Sequence, residues 1–188
     1  MQVYSYYDGN GSTVASKIEN IVFQTGTSWD LTSGLRMSDT DTGHSLYGAG
    51  GADIMDGNGG NDTLYGYGGN DILYTSSGTD TLYGNAGADT FMFEAATAFS
   101  NSDSIMDFST GQSDKIDISD VLDGFYNPLS HAITDFVEIT TSGSNSLLKI
   151  DQDGTANGVN FVQVATLYSI TGLTDEAAQV SAGRLIVA

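Results

Sequence analysis

The 188-residue chain contains no cysteine, and only five cations, Lys17, Arg36, Lys115, Lys149 and Arg184. Without cysteine, neither a disulfide framework nor a thiolate zinc site can staple the fold. Against those five cations stand 24 carboxylates, for a formal net charge of −19, which makes nucleic acid and anionic lipid poor partners. No apolar run approaches the ~18 residues of a membrane span, so membrane insertion is not expected. The first residues lack the basic stretch and apolar core of a cleavable signal peptide, so export would need another signal. Met1 instead runs straight into the strand-like QVYSYYDG, as in a fragment of a longer protein. Catalytic equipment is thin: two histidines, His44 and His131, with no H-E-x-x-H, no G-x-S-x-G and no cysteine nucleophile. The expectation is a chain that is not an enzyme.

What the chain does have is a period. Residues 48–92 divide into five consecutive nonapeptides, GAGGADIMD, GNGGNDTLY, GYGGNDILY, TSSGTDTLY and GNAGADTFM. The sixth place is always Asp (Asp53, Asp62, Asp71, Asp80, Asp89), and the fourth is always Gly (Gly51, Gly60, Gly69, Gly78, Gly87). The eighth is always apolar (Met55, Leu64, Leu73, Leu82, Phe91). A degenerate earlier copy, DTDTGHSLY at 39–47, carries His44 where the aspartate belongs. The roll is expected to begin there, with a missing ligand.

Each unit reads as a Gly-rich turn followed by a three-residue strand with its middle side chain inward. Glycine at this density excludes helix. One apolar residue per unit suggests strands alternating between two facing sheets, so that a coil takes eighteen residues. Strands stacked about 4.8 Å apart would set Asp53 over Asp71, Asp62 over Asp80 and Asp71 over Asp89. Like charges about 5 Å apart repel by about 3 kcal/mol at an effective dielectric near 20. Without a cation such a roll should not form. Calcium fits best, because hard oxygen ligands at about 2.3–2.6 Å span one strand spacing, whereas magnesium demands a tighter octahedron. The expected ligands are the five aspartate side chains together with oxygens, mainly backbone carbonyls, of the turns: Gly50, Gly51, Asn58, Gly59, Gly60, Gly68, Gly69, Gly78, Asn85 and Gly87.

These units resemble the G-G-x-G-x-D-x-U-x pattern of the RTX family of calcium-binding parallel β-rolls. The second place departs from it (Ala49, Asn58, Tyr67, Ser76, Asn85), and the fourth unit opens Thr75-Ser76-Ser77, which puts the site using that turn in question. Downstream, ADTFMFEA, DSIMDFSTGQSDKIDIS and the stretch from LLKIDQDG to the end resemble the C-terminal target region of type I secreted proteins, of the variety that closes large RTX adhesins. The resemblance implies a Gram-negative host, an uncleaved export signal in the last several dozen residues, the type I secretion machinery as the partner during export, and an extracellular or cell-surface location.

The expected fold is therefore all-β: a short parallel β-roll capped by a mostly antiparallel β segment with one short helix in TDEAAQVSAGRL behind a Thr or Asp cap. Three parts follow, 1–38 as flanking strands, 39–92 as the roll, and 93–188 as cap and secretion region. SKIENIVFQTGTSWDL at 16–31 looks like the short strands that precede such rolls. The leading function is a calcium-dependent folding and secretion module of an adhesin, in a monomeric fragment. The alternatives are an adhesive, ligand-binding module, or the C-terminal module of a secreted protease, lipase or alginate epimerase, although five scattered cations argue against binding alginate.

Three lesser constellations remain. Asp151, Asp153 and Asn157 resemble a truncated calcium loop, but an ordinary Asp-Gly turn is the preferred reading, since the EF-hand spacing is missing. Asp103, Asp107, Asp114 and Asp117 are read chiefly as turn or solvated residues, with an extra ion at the roll's junction as the alternative. On one outer face Tyr47, Tyr65 and Tyr83 stack, a packing ladder first and a platform for the sugar rings of a surface glycan second.

Overall fold

A nonapeptide with a single apolar residue can bury it only against another copy of itself, and the chain does so. The computed structural model describes residues 20–22, 28–30, 34–39, 42–154 and 159–188; the stretch QVYSYYDG and Asn157 lie outside the described residues. In chain order, the short strands are β1 (Asn20–Val22), β2 (Ser28–Asp30), β3 (Arg36–Ser38), β4 (Ser45–Tyr47), β5 (Ile54–Asp56), β6 (Thr63–Tyr65), β7 (Ile72–Tyr74), β8 (Thr81–Tyr83), β9 (Thr90–Met92), β10 (Asp103–Ile105) and β11 (Lys115–Asp117). β1 and β2, within the expected upstream strands, pair antiparallel as a separate two-stranded sheet. From β3 onward, alternate strands pair in parallel across the repeat, Ile54 with Ile72 and Leu64 with Leu82, a register of eighteen residues.

Two sheets result. One carries β3, β5, β7, β9 and β11 in order, and the other carries β4, β6, β8 and β10. The middle residue of each strand from β4 to β9 is buried between two half-buried neighbours, as period-two strands in a two-layer roll require. The core is thus two apolar columns, Met55–Leu73–Phe91–Ile116 facing Leu46–Leu64–Leu82–Ile105. Fully burying a side chain of this size stabilises by about 1.5–3 kcal/mol.

The pairing runs beyond residues 39–92 at both ends. β3 adds a strand before the first recognisable unit, and β10 and β11 add one strand to each sheet after the last. The cap then begins with α1 (Ser119–Leu122) and a 3-10 turn at Ile133–Asp135. It continues through β12 (Val137–Ser142), β13 (Asn145–Ile150), β14 (Val162–Leu167), α2 (Glu176–Ser181) and β15 (Leu185–Ile186). The first three of these strands form an antiparallel meander. It is grafted onto the roll because β14 pairs in parallel with β10, which sets Leu167 beside Ile105 and continues the core column. β15 extends the other sheet by pairing with β11. The cap thereby covers the apolar end that a short stack leaves open. The helix anticipated in the last residues is α2, capped by Asp175, whose Oδ1 accepts the Ala178 N–H at 2.9 Å. Its Glu176 is buried and accepts the Ile139 N–H at 2.6 Å, tying the helix to β12.

Candidate metal centre

The turns are built around two ladders of aspartate. In each unit the aspartate immediately precedes the strand, and its Oδ1 accepts the backbone N–H of the residue that occupies its own place one coil earlier. Along one ladder Asp53 takes the N–H of Leu35 (2.5 Å), Asp71 that of Asp53 (2.8 Å), Asp89 that of Asp71 (2.9 Å) and Asp114 that of Asp89 (3.0 Å). Along the other, Asp62 takes the N–H of His44 (2.6 Å), Asp80 that of Asp62 (2.8 Å) and Asp103 that of Asp80 (2.9 Å). All seven aspartates are buried.

One oxygen of each is thereby satisfied; in four of them the second is not. Oδ2 of Asp62, Asp71, Asp80 and Asp89 is buried with no hydrogen-bond partner. Towards the ends of the first ladder, by contrast, Asp53 Oδ2 accepts the Ala49 N–H at 2.6 Å and Asp114 Oδ2 accepts that of Ser109 at 2.8 Å. A buried acceptor without a donor carries its full desolvation cost, more so when charged. Burial accordingly pushes the carboxyls up, to about 6 for Asp71, Asp80 and Asp89 and to about 7 for Asp103. The N–H donated from the neighbouring coil opposes that rise, and the adjacent carboxylates add to it. Asp62 and Asp114 are raised for the same first reason. A row of partnerless, desolvated carboxylate oxygens fits a hard dication, which satisfies the oxygens and removes the repulsion in one step.

Glycine leaves room in two places around these oxygens. At the first position of the unit, a Cβ on Gly57, Gly66 or Gly84 would collide with the carboxylate of the same unit's Asp62, Asp71 or Asp89. At the fourth, Gly60, Gly69, Gly78 and Gly87 have φ between 111° and 145°. A side chain on Gly69, Gly78 or Gly87 would strike the carbonyl of the glycine one coil earlier (Gly51, Gly60 or Gly69). The carbonyls expected to face the ion thus lie within the stacked turns. Of these, that of Asn58 already accepts the Ser77 N–H from the next coil, as the carbonyls of Ala49 and Tyr67, outside the expected set, accept those of Gly68 and Ala86.

The Thr75-Ser76-Ser77 turn keeps the backbone hydrogen bonds of its neighbours: Thr75 donates its N–H to the Met92 carbonyl as Gly66 does to Tyr83, and Ser77 donates its own to the Asn58 carbonyl as Gly68 does to Ala49. What it adds is the Ser76 hydroxyl, which meets Asp56 Oδ1 at 2.6 Å. The first position of this unit thus carries Thr75, and Asp80 still keeps its place in the ladder.

Asp103 and Asp114, which the sequence favours as turn or solvated residues, are instead ladder members. They escape the period because the spacings from Asp80 and Asp89 are 23 and 25 residues rather than eighteen, and because the repeat's first and fourth places hold Ala98 and Asn101 before the one and Ser109 and Gln112 before the other, with glycine at none of these places. The surviving signal is the triplet of Asp, any residue and an apolar one: Asp103-Ser104-Ile105 and Asp114-Lys115-Ile116 repeat the pattern of Asp80-Thr81-Leu82. Asp107 does take a turn role, accepting the N–H groups of Gly84 and Asn85 at 3.0 and 2.8 Å. Asp117 accepts from Ser119 at the start of α1. Asp151 is buried and accepts the Asn160 N–H at 2.8 Å across its loop, with the Gly154 N–H donating to its carbonyl.

Two ladders of inward carboxylates on a two-sheet parallel stack define a calcium-binding β-roll. Comparison with known proteins agrees: residues 47–82 and 65–95 match the RTX calcium-binding nonapeptide repeat. The chain is an RTX β-roll protein, and its ion is calcium. The repeats are a calcium-binding structural motif, not a catalytic one, and such domains belong to secreted proteins. Among solved structures, the chain is similar to a subunit of the Azotobacter vinelandii mannuronan C5-epimerase determined in solution. The identity is 30%, the match covers 82% of this chain and 78% of that one, and the TM-score is 0.45. No curated protein matches the chain.

Proposed function

We propose that the chain is a calcium-dependent folding and type I secretion module of a large extracellular adhesin. The observation that carries this reading is the set of four buried, partnerless Oδ2 atoms on Asp62, Asp71, Asp80 and Asp89. Those oxygens make the folded state costly where calcium is scarce and favourable where it is plentiful, so metal binding becomes folding energy. Extracellular-type sites work at about 10⁻⁴–10⁻³ M calcium, far above cytosolic levels. The chain would stay open inside the cell, pass a narrow channel as an unfolded polymer, and fold on arrival; folding outside would oppose its return.

The experiment is export of a passenger protein fused ahead of this chain, in a Gram-negative cell carrying a type I channel. Accumulation in the medium that rises with external calcium supports the reading. A passenger retained inside at every calcium level overturns it.

A second reading, adhesion by this segment itself, has one specific observation in its favour. Tyr47, Tyr65 and Tyr83 stack with ring centroids 5.2 and 4.8 Å apart, and Tyr67 adds a ring 6.4 Å from Tyr47 and 6.3 Å from Tyr65. Tyr67 reaches that position with φ of 70° and remains exposed, a left-handed conformation uncommon for a bulky side chain. Such a surface suits the apolar face of a sugar ring. Glycan binding lost on Tyr65→Ala and Tyr67→Ala supports it; binding to no glycan by the wild type, or binding unchanged in both variants, sinks it.

A further inference from the structure

The first coil breaks the pattern twice, in a correlated way. His44 stands where every later unit has its ladder aspartate, and Asp39 stands where Gly48, Gly57 and Gly66 open the later units. The backbone keeps the ladder, because the His44 N–H still donates to Asp62 Oδ1 at 2.6 Å. The chemistry of the turn is what changes. Asp39 Oδ2 lies 2.6 Å from His44 Nδ1, and one oxygen each of Asp39 and Asp62 and one ring nitrogen of His44 all lie within 4.8 Å of one another.

Proximity alone would be met by an ion pair between Asp39 and a protonated His44. A second, independent observation comes from the third member. Asp62 is 1% exposed, with Oδ1 committed to the backbone and Oδ2 buried without a donor. The imidazole side chain is 41% exposed, so an ion can reach the cluster from solvent while the carboxylate behind it is dry. The donor set also differs from that of the ladder below. Calcium takes oxygen ligands only, whereas one imidazole and two carboxylates suit zinc and its first-row neighbours, with positions left for water.

We propose that Asp39, His44 and Asp62 form a zinc-class site at the β4 end of the roll, sharing Asp62 with the calcium ladder and differing from it in its nitrogen donor. Its place gives it a task. Among the described residues, β4, which His44 immediately precedes, is the terminal strand of its sheet, and no further coil stacks on this end. A metal bridging Asp39 and His44 to Asp62 fastens β4 to β6, its neighbour in the sheet. The inference rests on the calcium roll only in that the folded roll holds Asp62 in place.

The test uses the whole chain saturated with calcium, with Co²⁺ as a spectroscopic stand-in for Zn²⁺. The expected result is one equivalent of Co²⁺ with a ligand-field absorption band, displaced by Zn²⁺ and not by excess calcium. His44→Asp is expected to abolish the band and add one calcium equivalent by calorimetry. Asp39→Asn is expected to weaken Zn²⁺ binding at least tenfold, and His131→Ala to leave the band in place. Absence of Co²⁺ uptake by the calcium-folded wild type overturns the site. So does a band that survives His44→Asp or disappears with His131→Ala. Circular dichroism of the same samples before cobalt is added separates the two readings. A chain that folds in calcium yet binds no cobalt contradicts this site alone, and a chain indifferent to calcium contradicts the roll as well.

Discussion

The Asp71 carboxylate accepts the backbone N–H of Asp53, eighteen residues earlier in the chain, at 2.8 Å through Oδ1, while its Oδ2 is buried without a partner. One side chain therefore has two tasks, holding adjacent coils in register and offering an oxygen to the ion. Asp71→Asn separates them, because the amide oxygen can still accept the Asp53 N–H but the charge is gone. The expected outcome is loss of at least one calcium equivalent by calorimetry and a calcium midpoint raised about tenfold, roughly the 1.4 kcal/mol of one weakened charged contact.

Glycine substitutions should sort by geometry and not by position in the consensus. A Cβ on Gly66 would strike the Asp71 carboxylate, whereas a Cβ on Gly50 meets nothing within 4 Å. Gly66→Ala is expected to shift the calcium-induced folding midpoint well above wild type, while Gly50→Ala leaves it within about 0.5 kcal/mol, the usual range for an unconstrained surface change. Calcium titrations of the two variants followed by circular dichroism make the comparison.

The buried carboxyls predict an inverted pH response when calcium is removed. Folded values near 6 for Asp71, Asp80 and Asp89 and near 7 for Asp103 lie above the roughly 3.9 of an unfolded aspartate. Folding then takes up protons. The stability linked to them is fully present below pH about 4 and is lost as pH rises through 6 to 7. In chelator, β structure should increase from pH 8 to pH 5. In calcium the sign reverses, because protons compete with the ion for the same oxygens, and the apparent calcium affinity should fall over the same range.

Asp103 is expected to behave as a repeat aspartate although no repeat contains it. Its Oδ1 takes the N–H of Asp80, and Asp103→Ala leaves that buried donor unsatisfied at a cost of about 1–3 kcal/mol. Thermal unfolding in saturating calcium should show a clear loss of stability, larger than for Asp123→Ala, an exposed residue that belongs to no ladder. Equal, negligible effects of the two substitutions would remove Asp103 from the ladder.

These residues also show what the sequence makes legible. Asp53 to Asp89 announce themselves because glycine, aspartate and an apolar residue recur in fixed register, and a nine-residue unit with one core position has few ways to fold. The eighteen-residue stacking and the inward column of Met55, Leu73 and Phe91 follow from that alone. Asp103 and Asp114 are hidden because the chain between Asp89 and Asp114 makes an excursion containing Phe93, Ala98 and Phe99 that packs on the core, and an insertion destroys periodicity without disturbing pairing. The parallel joining of β14 to β10 is hidden for another reason. It depends on contacts between segments some sixty residues apart, Ile105 beside Leu167, which no local pattern encodes. The Thr75-Ser76-Ser77 departure is visible in the sequence, but its contact is not, since the Ser76 hydroxyl meets Asp56 twenty residues away.

The most direct test of the central claim, that calcium is a condition of this fold, is a calcium titration of the whole chain at neutral pH by circular dichroism with amide hydrogen exchange. A largely unfolded spectrum and unprotected amides are expected in chelator. In millimolar calcium a cooperative change to β structure is expected, with protection centred on β5 to β9. A chain fully folded and protected in chelator, with no response to calcium, would contradict the claim.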